Sequence, residues 1–124
     1  MTIWTRARTA FAVAALTLTT ATGAFAAKVE LLETAPEGAV VVNIDKMAYE
    51  TPEITIKAGE SVTWTNLEVM PHNVEFAAGV AGDEKVRGDM LKKGETWTMQ
   101  FNEPGTYDYH CTPHPFMRGT VVVE

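Results

Sequence analysis

The sequence is poor in the residues that staple a fold or anchor it in a bilayer. It holds a single cysteine, Cys111, in 124 residues, so no internal disulfide can form. No apolar run reaches the ~20 residues a spanning helix needs. Histidine is scarce, at three residues, and no His-x-His pair occurs, which removes the ligand pattern of a multicopper cluster. Basic residues are outnumbered, 10 against 16 acidic, for a net charge of −6. A nucleic-acid partner is therefore disfavoured. Long amphipathic helical periodicity and low-complexity segments are also missing, and the length suits one domain.

The N-terminus carries Arg6 and Arg8 and no acid, then an apolar or small stretch from Thr9 to Thr22, then Ala24-Phe25-Ala26. This is the pattern of a secretory signal with cleavage after Ala26. The alternative, an uncleaved anchor, is weakened by the short, threonine-diluted run. Arg6 and Arg8 are not adjacent, so a twin-arginine signal has no support. Residues 1–26 are read as signal peptide and 27–124 as one exported domain, with the periplasm as destination and no stable membrane association after cleavage. The mature segment has 8 basic and 16 acidic residues, a net −8.

Within 27–124, residues alternate. Val62, Trp64 and Asn66 interleave with Ser61, Thr63 and Thr65; Trp97, Met99 and Phe101 with Thr96, Thr98 and Gln100; Tyr107, Tyr109 and Cys111 with Thr106, Asp108 and His110. A period of two predicts strands with one buried face. Val40 to Ile44, Ile54 to Ile56, Val74 to Phe76 and Thr120 to Val123 are further β-rich runs. Turn signals stand between them at Ala58-Gly59-Glu60, Lys93-Gly94-Glu95 and Pro104-Gly105. Lys-x-Gly-Glu occurs twice and reads as a reused hairpin turn. The pattern is all-β, a sandwich or barrel. Residues 77–91 read as an irregular loop with room for one helical turn, and 27–38 as a loosely held lead-in.

The chemistry concentrates in two places. Tyr107 to Met117 reads Y-D-Y-H-C-T-P-H-P-F-M, with Cys111, His114 and Met117 spaced C-x2-H-x2-M; upstream lies Met70-Pro71-His72-Asn73. Alone, Cys111 could be inert core, a nucleophile or a ligand, and Met117 a gap filler. Together, two imidazoles, a thiolate and a thioether are the donor set of a type 1 copper site. Pro113 and Pro115 stiffen the loop around His114. A Cys–His nucleophile gives those prolines and the methionine no role, and structural zinc rarely takes Met. His110 alternates away from Cys111 and reads as a non-ligand, hydrogen-bonded at the surface or between strands. Asn73 is a candidate clasp between the two ligand-bearing loops, an ordinary turn Asn being the alternative.

These stretches, with Lys46-Met47 and Tyr49-Glu50-Thr51-Pro52-Glu53, resemble the amicyanins, a branch of the cupredoxin (type 1 blue copper) family. The likeness runs from about Ala39 to Glu124 and is most specific in the compact C-T-P-H-P-F-M loop. It implies a Greek-key β-sandwich with one copper ion at one end, held by His72, Cys111, His114 and Met117, with Met117 as the long axial contact. It implies an electron carrier and not an enzyme, a monomer, taking electrons from methylamine dehydrogenase and passing them to a c-type cytochrome. Docking is expected through an apolar patch around His114, from Met47, Met70, Pro71, Met90, Pro113, Pro115 and Phe116, ringed by Arg87, Lys92, Lys93 and Arg118. The alternatives are a pseudoazurin-like donor to a nitrite reductase, against which the short Cys-to-Met spacing speaks, and a copper delivery protein.

Overall fold

The computed structural model describes residues 27–124; the expected signal peptide lies outside the described residues. Ten strands are formed: β1 (Val29–Leu32), β2 (Val40–Asp45), β3 (Ala48–Tyr49), β4 (Glu53–Ile56), β5 (Ser61–Asn66), β6 (Glu75–Phe76), β7 (Val86–Arg87), β8 (Thr96–Phe101), β9 (Gly105–His110) and β10 (Arg118–Val123). They make two five-stranded sheets, ordered β1-β8-β5-β2-β3 and β4-β10-β9-β6-β7. The alternating pattern allowed a sandwich or a barrel, and the fold is the all-β sandwich that the family resemblance implied. Both sheets are mixed, because β2 pairs with β5 and β4 with β10 in parallel.

The inward faces meet around Trp64, which is fully buried. Tyr109, Phe76 and Phe101 stand against it at centroid distances of 5.3, 6.3 and 6.5 Å. Fully burying one large apolar side chain contributes about 1.5–3 kcal/mol. The aromatic centre is thus a main source of stability and a rigid floor beneath the end of β9 that carries Cys111.

Four details differ from the sequence reading. First, residues 27–38 are not merely a loose lead-in: β1 pairs along β8 from Val29↔Phe101 to Leu32↔Thr98. The burial of β1 runs intermediate, exposed, exposed, intermediate, so neither face is consistently dry and no alternation marks this edge strand in isolation. Second, 77–91 contains no helical turn; it carries β7, which pairs with β6 at Glu75↔Arg87 and Phe76↔Val86. Third, β5 buries Ser61 and Thr63 as well as its apolar face. It is the central strand of its sheet, and the Thr63 and Thr98 hydroxyls satisfy each other at 2.8 Å.

Fourth, the two Lys-x-Gly-Glu segments form the same tight turn, but neither is a hairpin. In each, the Glu N–H donates to the Lys carbonyl at 3.0 Å (Glu60 to Lys57, Glu95 to Lys92), with Gly59 and Gly94 at positive φ. In each, the Glu carboxylate accepts from the Lys N–H. The first turn carries the chain from one sheet to the other, and the second leads into β8 from the loop after β7. Turn chemistry specifies local geometry, while the partner of the outgoing strand is a tertiary matter.

Candidate metal centre

β9 and β10 are antiparallel neighbours whose last register pair is Arg118↔His110. One step beyond, Cys111 and Met117 face each other, and the Cys111 N–H donates to the Met117 carbonyl at 3.1 Å. The intervening loop closes on itself, with His114 N–H on the Cys111 carbonyl at 3.3 Å and Met117 N–H on the His114 carbonyl at 2.9 Å. Pro113 and Pro115, lacking N–H groups, leave these bonds undisturbed. The result is a tight loop that sends Cys111 and Met117 inward, both buried, while His114 stays half-buried.

His72 arrives from the β5–β6 connection. It makes a two-way bridge with Leu91: His72 N–H to Leu91 carbonyl at 3.2 Å, Leu91 N–H to His72 carbonyl at 2.7 Å. Its ring is fully buried. His72 Nδ1 lies 3.7 Å and His114 Nδ1 3.6 Å from Cys111 Sγ. One donor atom from each of these three residues falls within 4.8 Å of the other two. Residues 39 positions apart therefore converge on one point, with Met117 buried at the foot of the same loop.

The expected clasp is present. Asn73 Nδ2 donates to Thr112 Oγ1 at 2.8 Å, and Thr112 N–H returns a bond to Asn73 Oδ1 at 2.8 Å. Tyr49 donates its hydroxyl to the Asn73 carbonyl at 2.6 Å and stacks edge-on to Tyr109 at 4.8 Å. Burial pushes the Tyr49 phenol far up, and Cys111 and Tyr109 add to the shift, so it is a permanent donor. His110 points elsewhere, its Nε2 2.6 Å from Glu75 Oε2 on the neighbouring β6. It faces away from Cys111, as its alternation predicted, and of the two settings left open, surface or inter-strand, it takes the second.

Glu68 went unread in the sequence. It stands four residues before His72 in an irregular loop, where no periodicity marks function, and its carboxylate accepts from His72 Nε2. Burial raises the Glu68 carboxyl, but hydrogen bonds from His72 and from the Met47 and Lys46 amides outweigh it and hold it below its ordinary range. Burial also raises the Cys111 thiol, with the Asn73 and His114 backbone amides acting the other way. The thiol is therefore kept protonated at neutral pH until a cation displaces the proton.

The surface around His114 is apolar in part. Phe116 is 69% exposed, Met70 and Met90 are also open, and Phe116 lies 6.1 Å from the His114 ring. Val69, at 81%, and Leu67 are exposed on the loop that leads to Met70, and neither stood out in the sequence. Met47 is instead half-buried against the core. Arg87, Lys92, Lys93 and Arg118 are exposed. Arg87 is partly engaged, 3.7 Å from Glu75 and 3.3 Å from Thr112 Oγ1.

Two imidazoles and a thiol converging in a mostly dry pocket, with a thioether beside them, suit copper better than a hard cation or structural zinc. Comparison with known proteins agrees. The family described as copper binding proteins, plastocyanin/azurin family, matches residues 36–124. Amicyanin from Paracoccus denitrificans is 51% identical over 127 aligned positions, covering 97% of each chain. Amicyanin-alpha from Methylorubrum extorquens is 54% identical over 112, covering 90% of this chain and 94% of that one. The crystal structure of amicyanin from Paracoccus versutus superposes with a TM-score of 0.75 at 54% identity, covering 78% of this chain and 98% of the other. The chain belongs to the plastocyanin/azurin family of copper-binding proteins, in its amicyanin branch: it is a blue copper electron carrier.

Proposed function

We propose that one copper ion would be held by His72 and His114 through Nδ1, by Cys111 through Sγ and by Met117 through its thioether. The convergence of the two imidazole nitrogens on one buried sulfur carries this assignment. Bound there, copper supplies one-electron chemistry between its cupric and cuprous states. The chain's own contribution is rigidity. The Asn73–Thr112 clasp, the His72–Leu91 bridge and the self-closed loop keep the donors in place whichever charge the site carries. Little of the protein then has to rearrange when an electron arrives. The half-buried His114, flanked by exposed Pro113, Pro115 and Phe116, is the edge through which electrons cross to a partner.

The donor in this reading is methylamine dehydrogenase and the acceptor a c-type cytochrome. Likeness to the amicyanins supports both, and the open Phe116, Met70 and Met90 side chains offer an apolar docking surface with basic groups nearby. The protein works as a monomer of residues 27–124 in the periplasm, after removal of residues 1–26. The test has two arms. Cu(II) added to the protein yields an intense blue band that is lost in Cys111→Ser. The oxidised protein is then bleached by methylamine dehydrogenase with methylamine present. A colourless Cu(II) protein refutes the ligand assignment and favours copper delivery; a blue protein that stays blue refutes the donor alone.

A further inference from the structure

Lys46 and Met47 form the two-residue loop between β2 and β3, since Asp45 and Ala48 are register partners. Both sit at positive φ, 51° and 58°. Such a left-handed loop favours Asn-Gly, and a Cβ is penalised at each position. This chain places a lysine and a methionine there, so something outside the turn must hold it. Glu68 does. The Lys46 N–H donates to its Oε2 at 3.0 Å and the Met47 N–H to its Oε1 at 3.1 Å. That same carboxylate accepts from His72 Nε2.

Glu68 is itself held. Its N–H donates to Asn66 Oδ1 at 3.1 Å, and Asn66 Nδ2 donates to the carbonyls of Met70 and Leu91 at 2.9 and 2.8 Å. Both sides of the His72 loop are thus tied to one amide. With Glu68 accepting at Nε2, the His72 ring proton sits on that nitrogen, and Nδ1 offers its lone pair toward Cys111 Sγ.

The geometry points to Glu68 as a positioning residue that couples the Lys46–Met47 turn to His72. One carboxylate sets the tautomer of a metal-facing imidazole and holds an otherwise unfavourable turn. This rests on the reading of His72 as a ligand. An anionic partner on the outer nitrogen also makes an imidazole a stronger donor. It should favour Cu(II) over Cu(I) and keep the reduction potential low.

The test compares Glu68→Ala and Glu68→Gln, each in the wild-type turn and in a Lys46→Asn/Met47→Gly background. There the turn needs no outside support, so loss of Glu68 cannot unfold it. In the metal-free protein, Glu68→Ala turns the single His72 tautomer into a mixture by 15N chemical shifts. Amide exchange at positions 46 and 47 speeds up at least tenfold, but only in the wild-type turn. In the copper-loaded protein, Cu(II) affinity falls roughly 10–100-fold and Cu(I) affinity falls less. Each tenfold of that difference raises the potential by about 59 mV. Glu68→Gln keeps an acceptor without charge, so it restores the tautomer but not the potential. Unchanged tautomer, affinity and potential in Glu68→Ala overturn the proposal, as does a loosened turn with His72 unaffected. If wild-type protein gives no blue band, the copper-ligand reading fails on its own, and the tautomer and exchange results still decide the role of Glu68.

Discussion

Asn73 and Thr112 exchange two hydrogen bonds, each 2.8 Å, between loops 39 residues apart in sequence. One end of the clasp follows His72 directly and the other follows Cys111, so it sets the separation of two metal-facing groups. Asn73 is buried and Thr112 half-buried, so cutting the pair leaves polar groups that water can replace only in part.

Asn73→Ala is expected to cost about 2–3 kcal/mol of metal-free stability, from the Thr112 N–H left without its acceptor, while the Thr112 hydroxyl keeps Arg87 at 3.3 Å. For a domain of this size that lowers Tm by roughly 10–25 °C. Asn73→Asp keeps the acceptor and loses the donor, and falls between. Thermal unfolding followed by circular dichroism reads the stability, and release of Cu(I) to a chelator should be faster in the same order. Wild-type release in Asn73→Ala would mean that the loops are held together by other contacts.

Gly119 lies against Tyr109, its register partner on β9. A Cβ at Gly119 would stand 2.2 Å from the Tyr109 ring and 2.3 Å from its hydroxyl. The ring cannot swing away, because Tyr49, Trp64 and Phe76 box it in. Gly119→Ala should therefore destabilise by about 3 kcal/mol or more. Two residues from Cys111, the disturbance should also shift the visible spectrum of the copper protein. Tyr109→Phe tests the same spot in the other direction. The buried Tyr109 hydroxyl and Trp64 indole N–H face each other, and neither has a well-aligned hydrogen bond among the described residues, so removing the hydroxyl is expected to change stability by about 1 kcal/mol or less. Urea unfolding of both variants checks the pair.

The raised Cys111 thiol makes the metal-free protein sensitive to alkali. A group whose folded pKa exceeds its unfolded value contributes stability that is complete below the unfolded pKa and lost as pH rises through the folded one. With ordinary thiols near 8.5, metal-free stability should decline from about pH 8.5 upward, and Cys111→Ser should flatten the decline. Urea midpoints between pH 7 and 10 measure this, and a parallel decline in both proteins would assign it to other groups.

Phe116 is the large apolar side chain most exposed beside His114. Replacing a central aromatic at a docking surface commonly costs 1–2 kcal/mol or more, about ten- to thirty-fold in affinity. Phe116→Ala should weaken a redox partner's saturation by that factor and leave the blue band unchanged, since the side chain is not among the converging donors. Stopped-flow reduction over a range of partner concentrations separates the two effects.

Seven of the ten strands were legible from short-range pattern alone. A strand with one wet and one dry face prints its period of two, as β9 does, and Cys111, His114 and Met117 lie so close in sequence that their spacing already implies a common loop. Tertiary structure decided the rest. β1 and β7 exist because β8 and β6 offer them unpaired edges, which no local alternation announces. Parallel pairing of β2 with β5 joins segments that share no turn. The convergence of His72 on Cys111, and the hold of Glu68 on His72 and on a left-handed Lys-Met turn, arise where loops with no period of their own are brought together by the sheets beneath them. Donor types are a property of the residues and can be read from the chain; distances between loops belong to the packed core and cannot.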